Sequence, residues 1–386
     1  MSVRIITSEH ELAALRVSWN QLAVGQPFRS WDWQVAWWRN YGRRPGQRLH
    51  LVACFDGPQL IGLLPCYRQL TPQGRVLRPL ASGEVCSEYL GILAAKDRAQ
   101  EVAEAIGDSL SGTGRQTDLS RTWELMLLDA QDASDEALLH LQAGLSRRGH
   151  PLETKPGVVC WRLTVADDPT HPRGSDAYEE CRFEGFLKQV ARPHRNRLRR
   201  AERRGIANDY QFHMASDEAS LAEGFSILVD LHQRRRAHHG QIGMFARPHF
   251  LSFHRDATQA LLASGQLWLA WMTRQGVPVS VFYCLADGPI LHGYQSGLNP
   301  DYLDDEPGRI LLLRLLRKAL REGYLALDLL RGDEPYKSHL GAERKYTQTV
   351  LIGNRTLVGK TAFGLALLRR KTRKLAGQVL RQLRAP

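Results

Sequence analysis

A short segment near the end of the chain combines carboxylates, an arginine and a Tyr-Lys pair directly after an apolar run. The segment reads LDLLRGDEPYKSHLGAERKY, and its polar side chains include Asp328, Arg331, Asp333, Tyr336 and Lys337. A carboxylate can accept a proton, a tyrosine can donate one, and the two cations can bind an anionic group. The same side chains could also form an ion-pair network around a tight turn, so both interpretations stay open at this point.

The segment PGRILLLRLLRKALREGY, residues 307–324, predicts an amphipathic helix. Proline is tolerated in a first helical turn, Gly323 ends the run, and leucines and cations occupy different faces. The strand-like run ILHGYQSGL precedes it. A helix that starts shortly after a strand presents backbone N–H groups, here around Pro307, Gly308 and Arg309, that can bind an anion or a pyrophosphate. An ordinary helix start is the alternative.

These segments must be positioned by a larger framework. The chain has 386 residues, more than one hydrophobic core usually supports, so two domains are expected. In both halves short strands alternate with helices, and the stretches LVACFDGPQLIGLLPCYR and LAWMTRQGVPVSVFYCLADG share a hairpin layout. We therefore expect a mixed α/β fold with two copies of one domain, at residues 1–165 and 166–355, followed by a basic amphipathic helix at 356–386.

Individual elements follow from apolar spacing and turn residues. The aromatic stripe of Trp33, Trp37, Trp38 and Tyr41 favours a helix packed in the core, because large aromatics dominate core burial. Hairpin strands are expected around Asp56-Gly57-Pro58 and three strands within residues 267–298. The other predicted helices span 99–111, 133–148, 185–204, 216–236 and 248–264.

The net charge of +12 comes from two segments. Residues 185–204 carry eight Lys or Arg against one Glu, and residues 355–386 carry nine with no acid, which leaves the remainder slightly acidic. The internal basic helix can bind RNA phosphate, an anionic membrane or a phosphorylated cofactor, or can simply be solvated. The tail can lie on an anionic membrane, pack on the protein or be partly disordered.

Composition excludes several classes of protein. No stretch approaches the roughly 18 apolar residues of a membrane span, which predicts a soluble, cytoplasmic protein. The six cysteines are widely spread without a CxxC motif, which argues against a disulfide framework and a metal site and predicts buried free thiols. They are Cys54, Cys66, Cys86, Cys160, Cys181 and Cys284.

The order of motifs resembles that of GNAT-superfamily proteins of the CelD/BcsL type, which are related to the Fem peptidoglycan aminoacyl ligases. The motifs are WDWQVAWWRNYG, LIGLLPCY, VARPHRNRLRRAERRG, HGYQSGLNPDY, EPGRILLL and LDLLRGDEPYKSHLGA. The resemblance covers residues 25–350 and is strongest over 290–342. Members of this type are described as acyltransferases of cellulose or other exopolysaccharide production.

The resemblance implies tandem GNAT-like domains, each a mostly antiparallel twisted sheet flanked by helices. It also implies a donor whose pantetheine lies between the fourth and fifth strands, with the pyrophosphate at Pro307, Gly308 and Arg309. The implied catalytic residues are Asp328 as base or acceptor-binding carboxylate, Tyr336 as acid and Lys337. The implied substrate-binding residues are Tyr294, Ser296, Arg331 and Asp333, and the neighbouring Gln295 and His292 are further candidates for substrate binding.

Two features depart from the family pattern. The loop YLDDEPGRI replaces the usual glycine-rich pyrophosphate loop, and in the sequence only Arg309 offsets its acids. Fem ligases carry a long two-helix arm, whereas the space between Phe186 and Tyr210 admits one basic helix.

Three functions follow as alternatives. The first is direct acyl transfer, without a metal or covalent enzyme intermediate, from an acyl-CoA or acyl carrier protein thioester. The acceptor is an amine or hydroxyl of a saccharide, an envelope intermediate or a small molecule. No Ser-His-Asp motif or HExxH spacing supports another route. The second is tRNA-dependent aminoacyl transfer, and the third is a non-catalytic scaffold in exopolysaccharide production. Peripheral contact of the tail with an anionic membrane is compatible with each.

Overall fold

The computed structural model describes residues 1–113, 117–207 and 209–382. The chain divides into two compact units. Unit 1 comprises Met1–Ala23, Tyr41–Gly157 and Thr347–Pro386, and unit 2 comprises Val24–Asn40 and Val158–Tyr346. A segment of the N-terminal region therefore belongs to unit 2. The domain boundaries expected from the sequence stay a prediction.

Unit 1 contains two sets of strands flanked by helices. Its strands are β1 (Ser2–Ile6), β2 (Gln47–Leu49), β3 (Leu51–Asp56), β4 (Gln59–Leu64), β5 (Cys66–Thr71), β6 (Gly74–Pro79), β7 (Leu93–Ala94) and β8 (Leu125–Asp132). Its helices are α1 (Glu9–Ala14), α2 (Arg16–Leu22), α4 (Ala99–Ser111), α5 (Glu136–Arg147) and α12 (Leu357–Gln382). The chain passes between the units within β9 (Leu152–Thr164) and β15 (Glu343–Gly353).

One sheet of unit 1 has the antiparallel order β1-β3-β4-β7. In the other set, β15 pairs antiparallel with β8, β8 pairs parallel with β6, and β6 continues antiparallel through β5 to β2. Gly57 turns the β3–β4 hairpin with a φ of +55, a value that glycine adopts without strain. The helices α4 and α5 bury leucines such as Leu110 and Leu141 in the core of this unit.

Unit 2 contains the larger share of the motif residues. Its helices are α3 (Trp31–Trp37), α6 (Asp176–Gln189), α7 (Arg192–Ala207), α8 (Glu218–His238), α9 (Pro248–Ala263), α10 (Pro307–Arg321) and α11 (Pro335–His339). Its strands are β10 (Gln211–Met214), β11 (Leu267–Arg274), β12 (Val277–Asp287), β13 (Ile290–Leu298) and β14 (Ala326–Arg331), with the end of β9.

The sheet of unit 2 has the order β10-β11-β12-β13-β14-β9, antiparallel except for the parallel pair β13 and β14. Side chains alternate between its two faces. Leu291 and Cys284 pack with leucines of α10, whereas Gly297 and Trp271 contact α8. The helices α10 and α8 therefore cover opposite faces. The prediction of a mixed α/β fold, with mostly antiparallel sheets flanked by helices, is confirmed.

One predicted helix is wrong in its extent. The single basic helix expected over 185–204 is two helices, α6 and α7, separated after Gln189. Val190 is extended, with a ψ of 133, and Pro193 follows in the first turn of α7. Proline lacks the N–H that a continuous helix would need at that point, so it starts a new helix instead.

Burial confirms the aromatic stripe as core, since Trp33, Trp37, Trp38 and Tyr41 are each 5% exposed or less. The six cysteines are free thiols, but Cys181 is exposed and Cys86 is half-buried, which corrects the expectation that all are buried. Within the described part of the chain, the helices all fall short of the length and apolarity that crossing a bilayer requires. The predicted tail helix is present as α12, and residues 383–386 lie outside the described residues.

Candidate active site

The parallel strands β13 and β14 diverge at a defined point. Their register runs from Ile290 opposite Ala326 to His292 opposite Asp328. A bulge interrupts the pairing of β12 with β13 between Gly293 and Gln295. Leu330 has a φ of +50, and its N–H donates to Asp328 Oδ1 at 2.9 Å, which bends β14 away. The strands therefore open into a wedge at their carboxyl ends.

A cavity of about 370 Å³ is lined by β12, β13, α10 and α11, the helix that follows β14. Part of its lining is apolar and comes from strands and from α10, including Phe282, Leu298 and Leu312. The polar part includes Ser296 of β13 and Tyr336 of α11. The charged lining residues are Arg197, Arg235, Glu306, Arg309 and Glu334. The cavity therefore joins an apolar channel to a charged rim, which suits an extended ligand with an anionic end.

The start of α10 forms one wall of the cavity. Glu306 precedes the helix in the left-handed conformation, with φ 55 and ψ 44, and its carbonyl accepts from the N–H groups of Arg309 and Ile310. Pro307 has no N–H, so Gly308 carries the other N–H of the first turn. A Cβ on Gly308 would lie 2.8 Å from Leu298 Cδ2. Glycine therefore allows the helix to begin close to β13.

Arginines from distant parts of the chain neutralise the acidic loop before α10. Arg274 donates to Asp305 and Arg234 to Asp301, each at 2.8 Å. The expectation that only Arg309 offsets the acids is wrong, because the other cations come from α7, α8 and β11, which the fold brings to the loop. Arg204 donates to the Asp304 carbonyl at 3.0 Å. Arg197 and Arg309 both pair with the Glu306 carboxylate.

The Glu306 carboxylate lies between two arginines at the cavity wall. Burial raises its pKa, but hydrogen bonds from Arg309 and Arg197 outweigh that effect, so its pKa is lowered. The carboxylate is therefore ionised at neutral pH. It already pairs with both guanidinium groups at this wall.

Asp328 and His292 lie at the base of the wedge. Asp328 is fully buried and accepts from Arg162 Nε at 2.8 Å as well as from the Leu330 N–H. His292 is 3% exposed, and neither of its ring nitrogens has a hydrogen-bond partner among the described residues. Burial lowers the pKa of His292 to about 4, although the charge of Asp328 opposes this. The imidazole is therefore neutral at pH 7.

Tyr336 lines the cavity from α11, with 37% of its surface exposed. Burial of the phenol, reinforced by the charge of Glu334, raises the pKa of Tyr336 to about 12, although Arg235 opposes this. The hydroxyl therefore remains protonated at neutral pH and can donate a proton to a departing anion.

Lys337 is 2% exposed and its ammonium faces the chain itself. Its Nζ donates to the carbonyls of Leu330, Arg331 and Gly332 at 3.2, 2.6 and 3.2 Å, and lies 3.0 Å from Glu334 Oε2. An ammonium has three hydrogens, and these acceptors engage them. Lys337 therefore holds together the loop that follows β14.

The remaining predicted site residues are distributed around the wedge. Tyr294 is hydrogen-bonded through its hydroxyl to His254 Nε2 at 3.2 Å, inside an aromatic cluster. Ser296 lines the cavity and accepts from Arg235 at 3.3 Å. Gln295 on β13 and Arg331 at the end of β14 are half-buried, whereas Asp333 follows β14 and is exposed. Pro307, Gly308 and Arg309 line the same cavity as Ser296 and Tyr336.

Several cavity residues carry no signal in the sequence that would mark them as functional. His194 and His339 stack with their ring centroids 3.9 Å apart and both line the cavity, although 145 positions separate them in the chain. Arg197 was part of a charge run in which no single position stands out, and Arg235 lay in a helix with other arginines. Glu306 is the residue of this set whose position in the sequence indicates a place in the site, since it immediately precedes the Pro-Gly pair that opens α10.

One group of side chains with metal-ligand chemistry lies away from the cavity. Asp168, His171 and Cys181 place one potential ligand atom each within 4.8 Å of one another. Their side chains already bond one another, with Asp168 Oδ2 2.6 Å from His171 Nδ1. Asp168 Oδ1 also accepts from the Thr170 N–H at 2.9 Å. This is the hydrogen bonding of a turn before α6.

Comparisons with solved structures show the fold. FemX matches with a TM-score of 0.60 at 10% identity, over 91% of this chain and 97% of that one. The C-terminal DUF2156 domain of an Agrobacterium fabrum protein described as a lysylphosphatidylglycerol synthetase matches with a TM-score of 0.53 at 9% identity, over 92% and 95%. A conserved protein of unknown function from Bacteroides thetaiotaomicron matches with a TM-score of 0.52 at 10% identity, over 91% and 100%.

At the level of sequence, no curated protein matches the chain. Residues 192–338 match a family model described as an acetyltransferase (GNAT) domain. That range contains the diverging strands, the start of α10 and Tyr336. Part of unit 2 thus matches a GNAT acetyltransferase domain, and the chain is an acyltransferase by class.

Proposed function

We propose that the chain transfers an acyl group from a thioester donor, an acyl-CoA or an acyl carrier protein, directly to an amine or hydroxyl. The acceptor belongs to a saccharide, an envelope intermediate or a small molecule, in line with the resemblance to the CelD/BcsL type. The observation that carries the proposal is the cavity of about 370 Å³ beside β13, with Tyr336 and the start of α10 in its lining.

The donor arm fits this cavity by its chemistry. A pantetheine arm is long and mostly uncharged, and Phe282, Leu298 and Leu312 offer it apolar walls. Its phosphate end would reach Gly308 and Arg309 at the start of α10. Because Glu306 already binds Arg197 and Arg309, a donor with few phosphates at this point is favoured over free CoA.

The reaction needs a proton acceptor and a proton donor. The acceptor nucleophile attacks the thioester carbonyl, and a base takes its proton; the tetrahedral intermediate then expels the thiolate, which takes a proton from an acid. In this proposal neutral His292 accepts the proton, and the Asp328–Arg162 pair supports the base of the wedge. Tyr336 supplies the proton to the thiolate, and Lys337 holds the loop that carries it.

Native mass spectrometry of the purified chain tests the donor class. The protein is mixed separately with acyl-CoAs, acylated carrier proteins and aminoacyl-tRNA, and the mass of each complex is recorded. The proposal expects a complex with a thioester donor, followed by transfer to added amines or hydroxyls. Intact, folded protein that binds no thioester donor at micromolar concentration would overturn it.

A second candidate function is aminoacyl transfer from aminoacyl-tRNA. The observation that favours it is on α7, where Arg192, Arg200 and Arg203 are exposed and form no ion pair within the described part of the chain. Such cations can contact RNA phosphates, and the binding should weaken steeply with salt. An activity that is destroyed by ribonuclease supports this function, whereas ribonuclease-resistant transfer excludes it.

The third candidate is a scaffold that has kept the fold without donor binding. The acidic residues before α10 favour it, because Glu306 competes with an anionic donor. A scaffold would bind no donor in the mass-spectrometry experiment, and removing Glu306 would not create transfer activity. Donor turnover by the wild-type protein excludes it.

A further inference from the structure

Helix α12 packs one of its faces on unit 1. Ala362 and Ala366 are buried there against Leu125 and Leu351. The helix is preceded by Asn354, which is 1% exposed and whose Nδ2 donates to two carbonyls of unit 1, at 2.7 and 2.9 Å. The Asn354 side chain also accepts from the Thr356 N–H at 3.1 Å, next to the first turn. These contacts fix which side of α12 faces outward.

The outward side of α12 is mainly apolar, although it is exposed, and Thr361 is a polar residue within it. Leu357, Val358, Leu365 and Leu368 are 82%, 64%, 49% and 58% exposed. Because a helix turns about 100° per residue, these four positions fall within an arc of about 100°. We call this set the outer face of α12. Isolated exposed leucines are common on proteins, but a continuous stripe indicates a surface that something covers.

Charge surrounds the outer face. Lys360 and Arg369 are exposed on α12, and residues 355–386 contain nine Lys or Arg and no acid. An apolar stripe flanked by cations is the pattern of a helix that lies in the plane of a membrane interface. Anionic lipid headgroups would neutralise these cations, which no apolar protein surface would do.

We infer that the outer face of α12 binds the surface of an anionic phospholipid bilayer. The helix lies along the interface, its leucines enter the headgroup and acyl boundary, and its cations contact lipid phosphates. A second copy of the chain fits less well, because pairing two such helices would bring their like charges together. The inference is independent of the donor and of the acceptor in the proposed function.

Vesicle flotation with the full-length protein tests this inference. Vesicles of phosphatidylcholine alone are compared with vesicles of phosphatidylcholine and phosphatidylglycerol in equal parts. Binding to the anionic vesicles is expected, with release at high salt, because screening weakens attraction between exposed charges. Replacing Leu365 and Leu368 together with glutamate should weaken binding at least about tenfold, since it removes apolar contact and adds repulsion.

The matched control is Leu70→Glu, at a leucine of β5 that is 68% exposed in the same unit. It should bind as the wild type does, and melting followed by circular dichroism checks that all variants are folded. Equal binding to neutral and anionic vesicles, or unchanged binding of the Leu365→Glu, Leu368→Glu variant, would overturn the inference. So would light scattering that finds a wild-type dimer which this variant dissociates, since the outer face would then belong to a second copy.

Discussion

His292 and Asp328 face each other at the last parallel pairing before β13 and β14 diverge. One is a buried neutral imidazole with no hydrogen-bond partner among the described residues, and the other is a buried carboxylate held by Arg162. This pairing places an imidazole and a carboxylate together at the base of the wedge, although neither lines the cavity. We assign the base to His292 because neither ring nitrogen has a hydrogen-bond partner among the described residues.

Replacing His292 with alanine should lower kcat about 10²- to 10⁴-fold, because a positioned base contributes on that scale. The KM for the donor should change little, since the donor arm lies in the cavity rather than on this ring. Steady-state kinetics with a saturating acceptor measures both constants. A variant with wild-type kcat would remove His292 from the mechanism.

Protein stability should fall as the solution is acidified. Burial lowers the pKa of His50 to about 4, of His254 to about 3 and of His292 to about 4, whereas the usual value in an unfolded chain is 6.5. Between these values the unfolded state binds more protons than the folded state, so the free energy of unfolding decreases as pH falls from 6.5 towards 4. Each of these histidines contributes roughly 3 kcal/mol to this decrease.

Urea titrations from pH 7 to pH 4 measure this dependence. The midpoint concentration of urea should drop steadily below pH 6.5, and His254→Gln should reduce the slope. A midpoint that stays constant over this range would contradict the assignment of neutral buried imidazoles.

Glu306→Gln should increase the affinity for CoA. The change leaves the size of the side chain nearly unaltered but removes the charge that holds Arg197 and Arg309. Because a charge-assisted hydrogen bond is worth about 1.5–3 kcal/mol, a gain of about tenfold or more in affinity is expected by titration calorimetry.

The control for this prediction is Asp301→Asn, an acid of the same loop that pairs with Arg234 instead. It should leave CoA affinity unchanged. Equal affinities for Glu306→Gln and the wild type would mean that Glu306 does not compete with the donor.

Tyr336 and Lys337 are neighbours with different expected behaviour. Tyr336→Phe should lower kcat about 10²-fold without loss of stability, because the change removes only the proton donor. Lys337→Met should lower the free energy of unfolding by about 2–4 kcal/mol, since it leaves buried carbonyls of the loop after β14 unsatisfied. Chemical denaturation and steady-state kinetics on both variants separate the two effects. Ser338→Ala, an exposed neighbour, serves as the control.

Local sequence signals predicted much of the fold. The proline at the start of α10, the Gly57 turn and the aromatic stripe around Trp33 each act through residues close in the chain, and each is present as expected. The break between α6 and α7 was not predicted, because the run of basic residues on both sides of Pro193 favoured one continuous helix.

The candidate site was less predictable, because its electrostatics depend on residues far apart in the chain. Arg274 and Arg234 reach the acidic loop only through tertiary contacts, and no spacing in the sequence indicates them. The same holds for Lys337, whose position after β14 suggested catalysis while its burial against three carbonyls depends on the fold. Its catalytic role stays a prediction.

The central claim is that the cavity lined by β13, α10 and α11 holds the donor arm. The most direct measurement is the dissociation constant of an acyl-pantetheine thioester for the wild type and for Ser296→Trp, whose indole would fill the cavity. We predict binding to the wild type and a loss of at least about tenfold in the variant, because the arm and the indole need the same space. Equal dissociation constants in two folded proteins, or no binding to the wild type, would contradict the account.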